Sequence, residues 1–195
     1  GAEKPFFLYM SHYAVHSPFN LDPRFAAKYR DKGKPPGAQA YATLIEGMDK
    51  SLGDLMDHAE AKGVAENTLF IFLGDNGGDC PYGPLDDISA CAPLRGRKGA
   101  QSEGGLRVPF IARWPGKIAA GKVDDTSLIS AVDLLPTFCE VAGVKLPDSY
   151  SPDGVSQVAA LMGHGKGARE KPLFWKMNSR WPPSDHQPYH WVSYA

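Results

Sequence analysis

The residues best suited to chemistry stand where apolar runs stop. Residues 69–73 are five apolar side chains in succession, closed by Gly74 and followed by Asp75, Asn76, Gly77 and Gly78. Such a run predicts a strand buried on both faces. In open α/β sheets, ligands gather at the carboxyl ends of strands of this kind. Asp75 and Asn76 both carry hard oxygen donors, the type that Ca²⁺ and Mg²⁺ take. Asp-Asn-Gly is equally ordinary turn chemistry, so the pair alone does not define a metal site. His16 ends a second run: residues 5–10 predict a buried strand, and a loop with His12, His16 and Pro18 follows. For His12 a surface or capping role is the simpler reading. Lys98 belongs to a third stretch, Leu94-Arg-Gly-Arg-Lys98-Gly99, where Gly96 and Gly99 interleave with Arg95, Arg97 and Lys98. Glycines there let backbone and cations approach an anion closely, although a solvated basic turn has the same composition. Taken together, a divalent metal beside cationic donors is how an enzyme stabilises an anionic tetrahedral or bipyramidal group. Phosphate esters and sulfate esters both fit.

Other chemistries fail on spacing. The glycines at 74–78 are not a phosphate-binding P-loop, because no Gly-Lys-Ser/Thr follows them. No serine lies in a Gly-x-Ser-x-Gly elbow. Cys139 falls in a helical pattern without an evident base and reads as a buried apolar residue. No Cys-x-x-Cys spacing exists for zinc, while Cys80 and Cys91 share one Gly/Pro-rich loop in which they could form a disulfide. A net charge of -1 gives no footprint for nucleic acid or for an anionic membrane surface. No apolar run approaches the roughly 18 residues of a membrane span.

The elements that must position these groups alternate. Residues 38–62 predict a long helix, with Tyr41, Leu44, Ile45, Met48, Leu52, Leu55, Met56 and Ala59 on one face and Gly63 as its terminator. Glu46 and Asp49 lie off that stripe and read as solvated. A loop of about thirty residues follows the Asp75–Asn76 strand, longer than a plain connection requires. Residues 108–114 predict a third strand. Residues 130–143 predict a second helix, capped by Ser130 and ended by Gly143. Alternating strands and helices through residue 145 are the pattern of a mainly parallel α/β sheet flanked by helices. Past Pro147 the chain becomes turn-rich, with a short helix near 155–162. Two strands at 172–177 and 190–194 then predict part of a small C-terminal α+β subdomain. The expected division is therefore 1–146 and 147–195. Glycines (21) and prolines (17) are abundant, in keeping with shaped loops. A start on an apolar strand, without an initiator Met, is expected of a portion of something longer.

The order and spacing of these stretches resemble the C-terminal part of a type I sulfatase, of the alkaline-phosphatase-like superfamily. The matching stretches are Pro5-Phe-Phe-Leu-Tyr9 through Pro18, the run from Asn67 to Gly77, Leu94-Arg-Gly-Arg-Lys98-Gly99, Glu103-Gly-Gly-Leu-Arg-Val-Pro109, Arg113-Trp-Pro-Gly116 and Val132-Asp-Leu-Leu-Pro-Thr137. Asp153-Gly-Val-Ser156 and Pro172-Leu-Phe-Trp175 continue the pattern. The resemblance implies that Asp75 and Asn76 are late ligands of Ca²⁺ (Mg²⁺ is the lesser candidate). It implies that Lys98 contacts the sulfate group and leaving oxygen, with His16 near the same group. Glu103-Gly-Gly is expected to shape the loop beneath Lys98. Val15 stands where such proteins usually carry proline. A formylglycine nucleophile, made from Cys or Ser in a C/S-x-P-x-R motif, is also implied and is expected in an N-terminal part outside residues 1–195, although Cys91-Ala-Pro-Leu-Arg95 has the spelling of that motif. The expectation is a sulfuric ester hydrolase whose isolated chain is inactive and binds Ca²⁺ weakly. Its expected substrate is a sulfated small molecule or sulfated carbohydrate, with no nucleic acid or membrane partner. A periplasmic, extracellular or lysosome-like compartment is implied by the resemblance alone. Two alternatives remain: an alkaline-phosphatase-like phosphodiesterase or phosphonate hydrolase, and a non-catalytic homologue that acts in binding. Trp181, His186 and Tyr189 are candidates for a specificity rim, against the simpler reading of a packed proline-rich turn.

Overall fold

A computed structural model describes residues 4–30, 32–78, 91–165, 169–170, 172–175 and 192–194. The chain divides into two compact units. The first is built from residues 1–65 and 74–109 together with 179–183. The second comprises residues 66–73, 110–178 and 184–195. Cys80 and the candidate rim at 181–189 lie outside the described residues.

In the first unit, helix α1 (Ala26–Tyr29) rests on the long helix α2 (Pro36–Ala61). Helix α2 starts two residues earlier than its apolar stripe predicts. Pro36 sits in its first turn, where a fixed φ favours the helix and the missing N–H is no loss. Its end is as read: Gly63 takes φ +67, Gly63 N donates to Glu60 O, and Val64 N donates to Ala59 O at 3.0 Å. These bonds satisfy carbonyls that the last turn would otherwise leave open. The reading of Glu46 as solvated is corrected. Its carboxylate accepts from Lys28 Nζ and from the Tyr29 hydroxyl, each at 2.7 Å, and so pins α1 to α2. The period-3.6 pattern marks only the apolar face and is blind to a partner arriving from 17 or 18 residues away. Nearby, the fully buried Thr43 accepts from Asp22 N at 2.9 Å.

Residues 6–10 also correct the sequence reading. They form part of neither described sheet, and Phe6, Phe7, Leu8, Tyr9 and Met10 are 48–80% exposed. An apolar run states that a segment prefers burial but does not supply the strand to pair with it.

In the second unit, strands β1 (Phe70–Leu73) and β2 (Phe110–Arg113) pair antiparallel, with Phe70 opposite Arg113 and Leu73 opposite Phe110. The segments were expected to contribute to a mainly parallel sheet, yet both described ladders are antiparallel. Parallel pairing needs a crossover that carries the chain back to the start of the first strand. Here Leu73 faces Phe110, so the chain returns at the end from which it left. All four residues of β1 are half-buried, and Ile111 on β2 is 61% exposed, so full burial on both faces is not reached. Strands β3 (Leu173–Trp175) and β4 (Val192–Tyr194) form the small second sheet where the sequence predicts one.

Below β2 the chain forms helix α4 (Leu134–Ala142), entered through a 3₁₀ turn at Ala131–Asp133; α3 is the short helix Glu103–Leu106 of the first unit. Helix α4 ends as α2 does, with Gly143 at φ +65 and Val144 N donating to Cys139 O. Its start depends on Asp133, which is fully buried. The Asp133 carboxylate accepts from Ser130 N at 2.8 Å, Val155 N at 2.9 Å and the Arg169 guanidinium, whose side chain is 10% exposed. Thr137 adds a second tie, accepting from Gln157 N at 3.0 Å. Gly154 runs so close that a Cβ there would stand 2.0 Å from Val132 O. Val155, Gln157 at the start of the short helix α5 (Val158–Leu161), and Arg169 are thus fastened to the start of α4 by hydrogen bonds.

Two predictions follow from these ties. Lys28 first, and Tyr29 second, hold the Glu46 carboxyl below its ordinary range. A depressed carboxylate contributes stability above its unfolded pKa, and that contribution is lost as pH falls through the folded value. Between pH 7 and pH 3 the stability difference between wild type and Glu46→Gln should therefore shrink, as urea midpoints at each pH will show. Replacing Asp133 with alanine strands a buried guanidinium and removes the helix cap. Breaking a buried pair from one side costs roughly 3–5 kcal/mol. The measured loss in urea unfolding should fall near that figure, and a loss below about 1 kcal/mol would reject the tie.

Candidate functional site

The apolar β1 segment delivers Gly74, Asp75 and Asn76 into the first unit. Gly74 N donates to Pro109 O at 3.1 Å, closing the base of the loop 74–109. Asp75 is exposed, and its carboxylate makes no hydrogen bond or ion pair among the described residues. Asn76 is half-buried, and its amide nitrogen donates to Gly77 O at 2.9 Å. That bond commits the nitrogen and leaves the amide oxygen available as a donor to a cation.

A backbone hydrogen bond brings Lys98 to this turn. Its N–H donates to Gly78 O at 3.1 Å, and Gly77 N donates to Gly105 O at 3.0 Å. Between these two docking bonds the segment 94–106 folds back on itself. Gly104 N and the Ser102 hydroxyl both donate to Arg95 O, at 2.8 and 2.7 Å. Gly105 N donates to Ser102 O and Ala100 N to Arg97 O, both at 2.8 Å. Gly96 sits at φ +86, in the left-handed region where a side chain is strained. Sequence reasoning placed Lys98 and the Asp75–Asn76 pair in separate stretches, and the structure docks the two stretches together. It also draws in Gly77, which reads from sequence as part of a turn, and Gly104 and Gly105, to which the resemblance gives the shaping of the loop beneath Lys98. Cys91 is buried, with its sulfur accepting from Gly78 N at 3.1 Å.

His16 stands apart in its bonding. Its N–H donates to Tyr13 O at 2.9 Å, its Nδ1 lies 2.9 Å from Ser17 O, and the Tyr13 ring is 5.4 Å away, centroid to centroid. Among the described residues all its contacts are within its own turn. The carbonyl beside Nδ1 selects the tautomer with the proton there, so Nε2 is left as an acceptor. His12 reaches helix α2 instead, 3.0 Å from the Ser51 hydroxyl, in line with the simpler reading.

A separate concavity of about 530 Å³ lies along α2, lined by Met10, Arg24, Lys50, Ser51, Asp54 and His58 among others. Its cations are already neutralised, Arg24 by Asp22 at 2.6 Å and Lys50 by Asp54 at 2.7 Å. None of the four predicted site residues lines it.

Asp75 and Asn76 suit a hard divalent cation by donor type and by the absence of competing bonds. They are two ligands, whereas Ca²⁺ takes 6–8 oxygens. No group of three or more His, Cys, Asp or Glu placed to hold a metal occurs among the described residues. The pair therefore fits as part of a cation site rather than as the whole. No helix among the described residues is long and apolar enough to cross a membrane.

Comparison with known proteins identifies the family and the fold. The chain superposes on the structure of Ps i-CgsB in complex with k-i-k-neocarrahexaose with a TM-score of 0.80 and 30% identity, over 91% of this chain and 38% of that one. The fold is accordingly α/β, of the alkaline-phosphatase-like type. It is 38% identical over 190 residues to a sulfatase of Formosa agariphila, which covers 89% of this chain and 33% of that protein. Identity to the N-acetylgalactosamine-6-O-sulfatase of Bacteroides thetaiotaomicron is 31% over 175 residues, 86% of this chain and 32% of the other. A sulfatase family model matches residues 1–144. The chain belongs to the sulfatase family. It spans about a third of the length of the curated relatives it matches.

Proposed function

We propose that this chain supplies one share of the active site of a sulfuric ester hydrolase acting on a sulfated carbohydrate. The observation that carries the reading is the backbone docking of Lys98 onto Gly78, two residues beyond Asn76. That contact puts a cation-bearing loop against a turn with two hard oxygen donors, the combination an anionic ester needs. Membership of the sulfatase family and the carbohydrate-directed names of two likenesses support the choice of substrate.

In this reading Asp75 and Asn76 hold part of a Ca²⁺ site. The ion, when bound, supplies Lewis-acid polarisation of a sulfate oxygen. Lys98 binds the sulfate group and meets negative charge growing on the leaving oxygen. Its ammonium is a compact charge with three donors, suited to such an oxygen. His16 Nδ1 lies 2.9 Å from Ser17 O, which favours the proton there, so Nε2 can accept a hydrogen bond or take up a proton at that atom. The nucleophile is not among these residues. The one stretch of this chain spelled as the motif that yields formylglycine is Cys91-Ala-Pro-Leu-Arg95, and a buried Cys91 sulfur that accepts from Gly78 N does not fit that group.

The test uses the protein expressed from its complete coding sequence, with sulfate release from a sulfated oligosaccharide and from an aryl sulfate as the readout. Losing one preorganised donor to the reacting oxygen costs about 100- to 1,000-fold in kcat, and Lys98→Ala should fall in that range. Asp75→Ala should weaken Ca²⁺ binding, read by calorimetry. Residues 1–195 alone should neither release sulfate nor bind Ca²⁺ tightly. Full activity in Lys98→Ala, or robust turnover by the isolated chain, would overturn the assignment.

A further inference from the structure

The contact between the Lys98 segment and the Asp75–Asn76 turn is closer than any residue but glycine permits. A Cβ built on Gly77 would stand 1.7 Å from Gly104 O across that contact; within the Lys98 segment itself, one on Gly104 would stand 2.2 Å from Gly96 O and 2.7 Å from Arg95 O. A Cβ on Gly105 would meet Ala100 O at 2.1 Å. Every atom met is a backbone atom, so no rotamer change relieves the overlap. Both docking bonds flank this contact, and both are already 3.0–3.1 Å long. Displacing the segment by about 1 Å would take them beyond hydrogen-bond range.

We propose that Gly77 and Gly104 are positioning residues for Lys98: their backbone-to-backbone contact fixes the distance between the Lys98 segment and the Asp75–Asn76 turn. The proposal rests on the catalytic reading of Lys98 given above. It assigns the two glycines a role through Lys98, not contact with substrate. A methyl group on Gly77 pushes Gly104 and its segment outward, and one on Gly104 pries that residue from Arg95 and Gly96 within the segment; either shifts the Lys98 backbone relative to Gly78 O. The ammonium is then attached to a base that has moved relative to the two oxygen donors. Misplacement by about 1 Å costs on the order of 100-fold in rate.

The experiment is a double-mutant cycle in the protein expressed from its complete coding sequence. Gly104→Ala should lower kcat for a sulfate ester about 100-fold, with KM changed far less. In the Lys98→Ala background the same substitution should add little, because two residues acting through one interaction are not additive. Multiplying losses would mean that Gly104 acts elsewhere and would overturn the proposal. Gly53→Ala, where a Cβ meets nothing within 4 Å, should leave activity unchanged. If Gly104→Ala does not fold, Ser102→Ala decides the matter by the same cycle. It removes only the 2.7 Å bond to Arg95 O that tightens the segment, and should show a smaller, equally non-additive loss. Amide exchange separates failure of this proposal from failure of the sulfatase reading. The Lys98 amide should exchange at least about tenfold faster in Gly104→Ala or Ser102→Ala, whether or not the wild type hydrolyses a sulfate ester. Unchanged exchange there sinks the positioning role. Absent wild-type hydrolysis with faster exchange sinks the catalytic reading and keeps the docking.

Discussion

The candidate site depends on one steric constraint: two backbone segments meet where no side chain can intervene. Gly77 and Gly104 approach so closely that a single methyl would overlap a carbonyl oxygen. Backbone contacts of this kind have no rotamers to freeze and no side-chain slack. They hold position more tightly than a salt bridge between exposed side chains, whose net value is small and which sample many geometries. The hydrogen bonds from Lys98 to Gly78 and from Gly77 to Gly105 exist because that approach is allowed. Glycine is usually read as freedom. At these positions it provides the opposite, a fixed spacing between a cationic segment and two oxygen donors.

That distinction explains how much the sequence disclosed. Local rules read well: Gly63 and Gly143 end helices α2 and α4 in the left-handed conformation that each position requires. The types of the site residues were equally legible, since a carboxylate, an amide and a lysine on glycine-rich loops restrict the chemistry to an anionic ester. Contacts between distant segments were not. Glu46 lies off the apolar stripe of α2 and reads as solvated, but Lys28 and Tyr29 reach it from α1. Asp133 looks like an ordinary residue of a helix start, and nothing in its neighbourhood announces Arg169, 36 residues later. Residues 6–10 carry a strand's composition without the partner that makes a strand. In each case the missing knowledge is which remote group arrives, and local pattern cannot supply that.

Burial repeats the theme. Among the described residues the largest fully buried side chains are Gln157, Thr43, Thr137 and Asp133, all polar. The buried apolar residues are mostly alanines, while Phe6, Tyr9, Tyr13 and Ile111 are more than 60% exposed. Hydrophobic burial is normally the main favourable term in folding. Here the described ties are hydrogen bonds that fix registry: Thr43 to the Asp22 turn, Asp133 to three segments, Thr137 to Gln157. Such bonds contribute modestly when made and are costly when broken, because the buried partner is then left unsatisfied. They specify where segments sit more than they add net stability. This is the property required of loops that must deliver catalytic groups to set positions.

Electrostatics then limits what the site can bind. Asp75 offers one negative charge and Asn76 none, so the pair neutralises only half of a divalent cation. A lysine held nearby repels such a cation, and at an effective dielectric constant of about 20 a pair of unit charges 4 Å apart interacts with about 4 kcal/mol. Cation and lysine become compatible only when an anion lies between them, with oxygens turned to both. A sulfate ester meets this demand, for it has several oxygens around one centre and carries a charge at every ordinary pH. In the proposed site Lys98 and a bound cation repel until an anion lies between them, and binding of that anion offsets the cost. The backbone contacts meanwhile fix the base from which that lysine side chain extends.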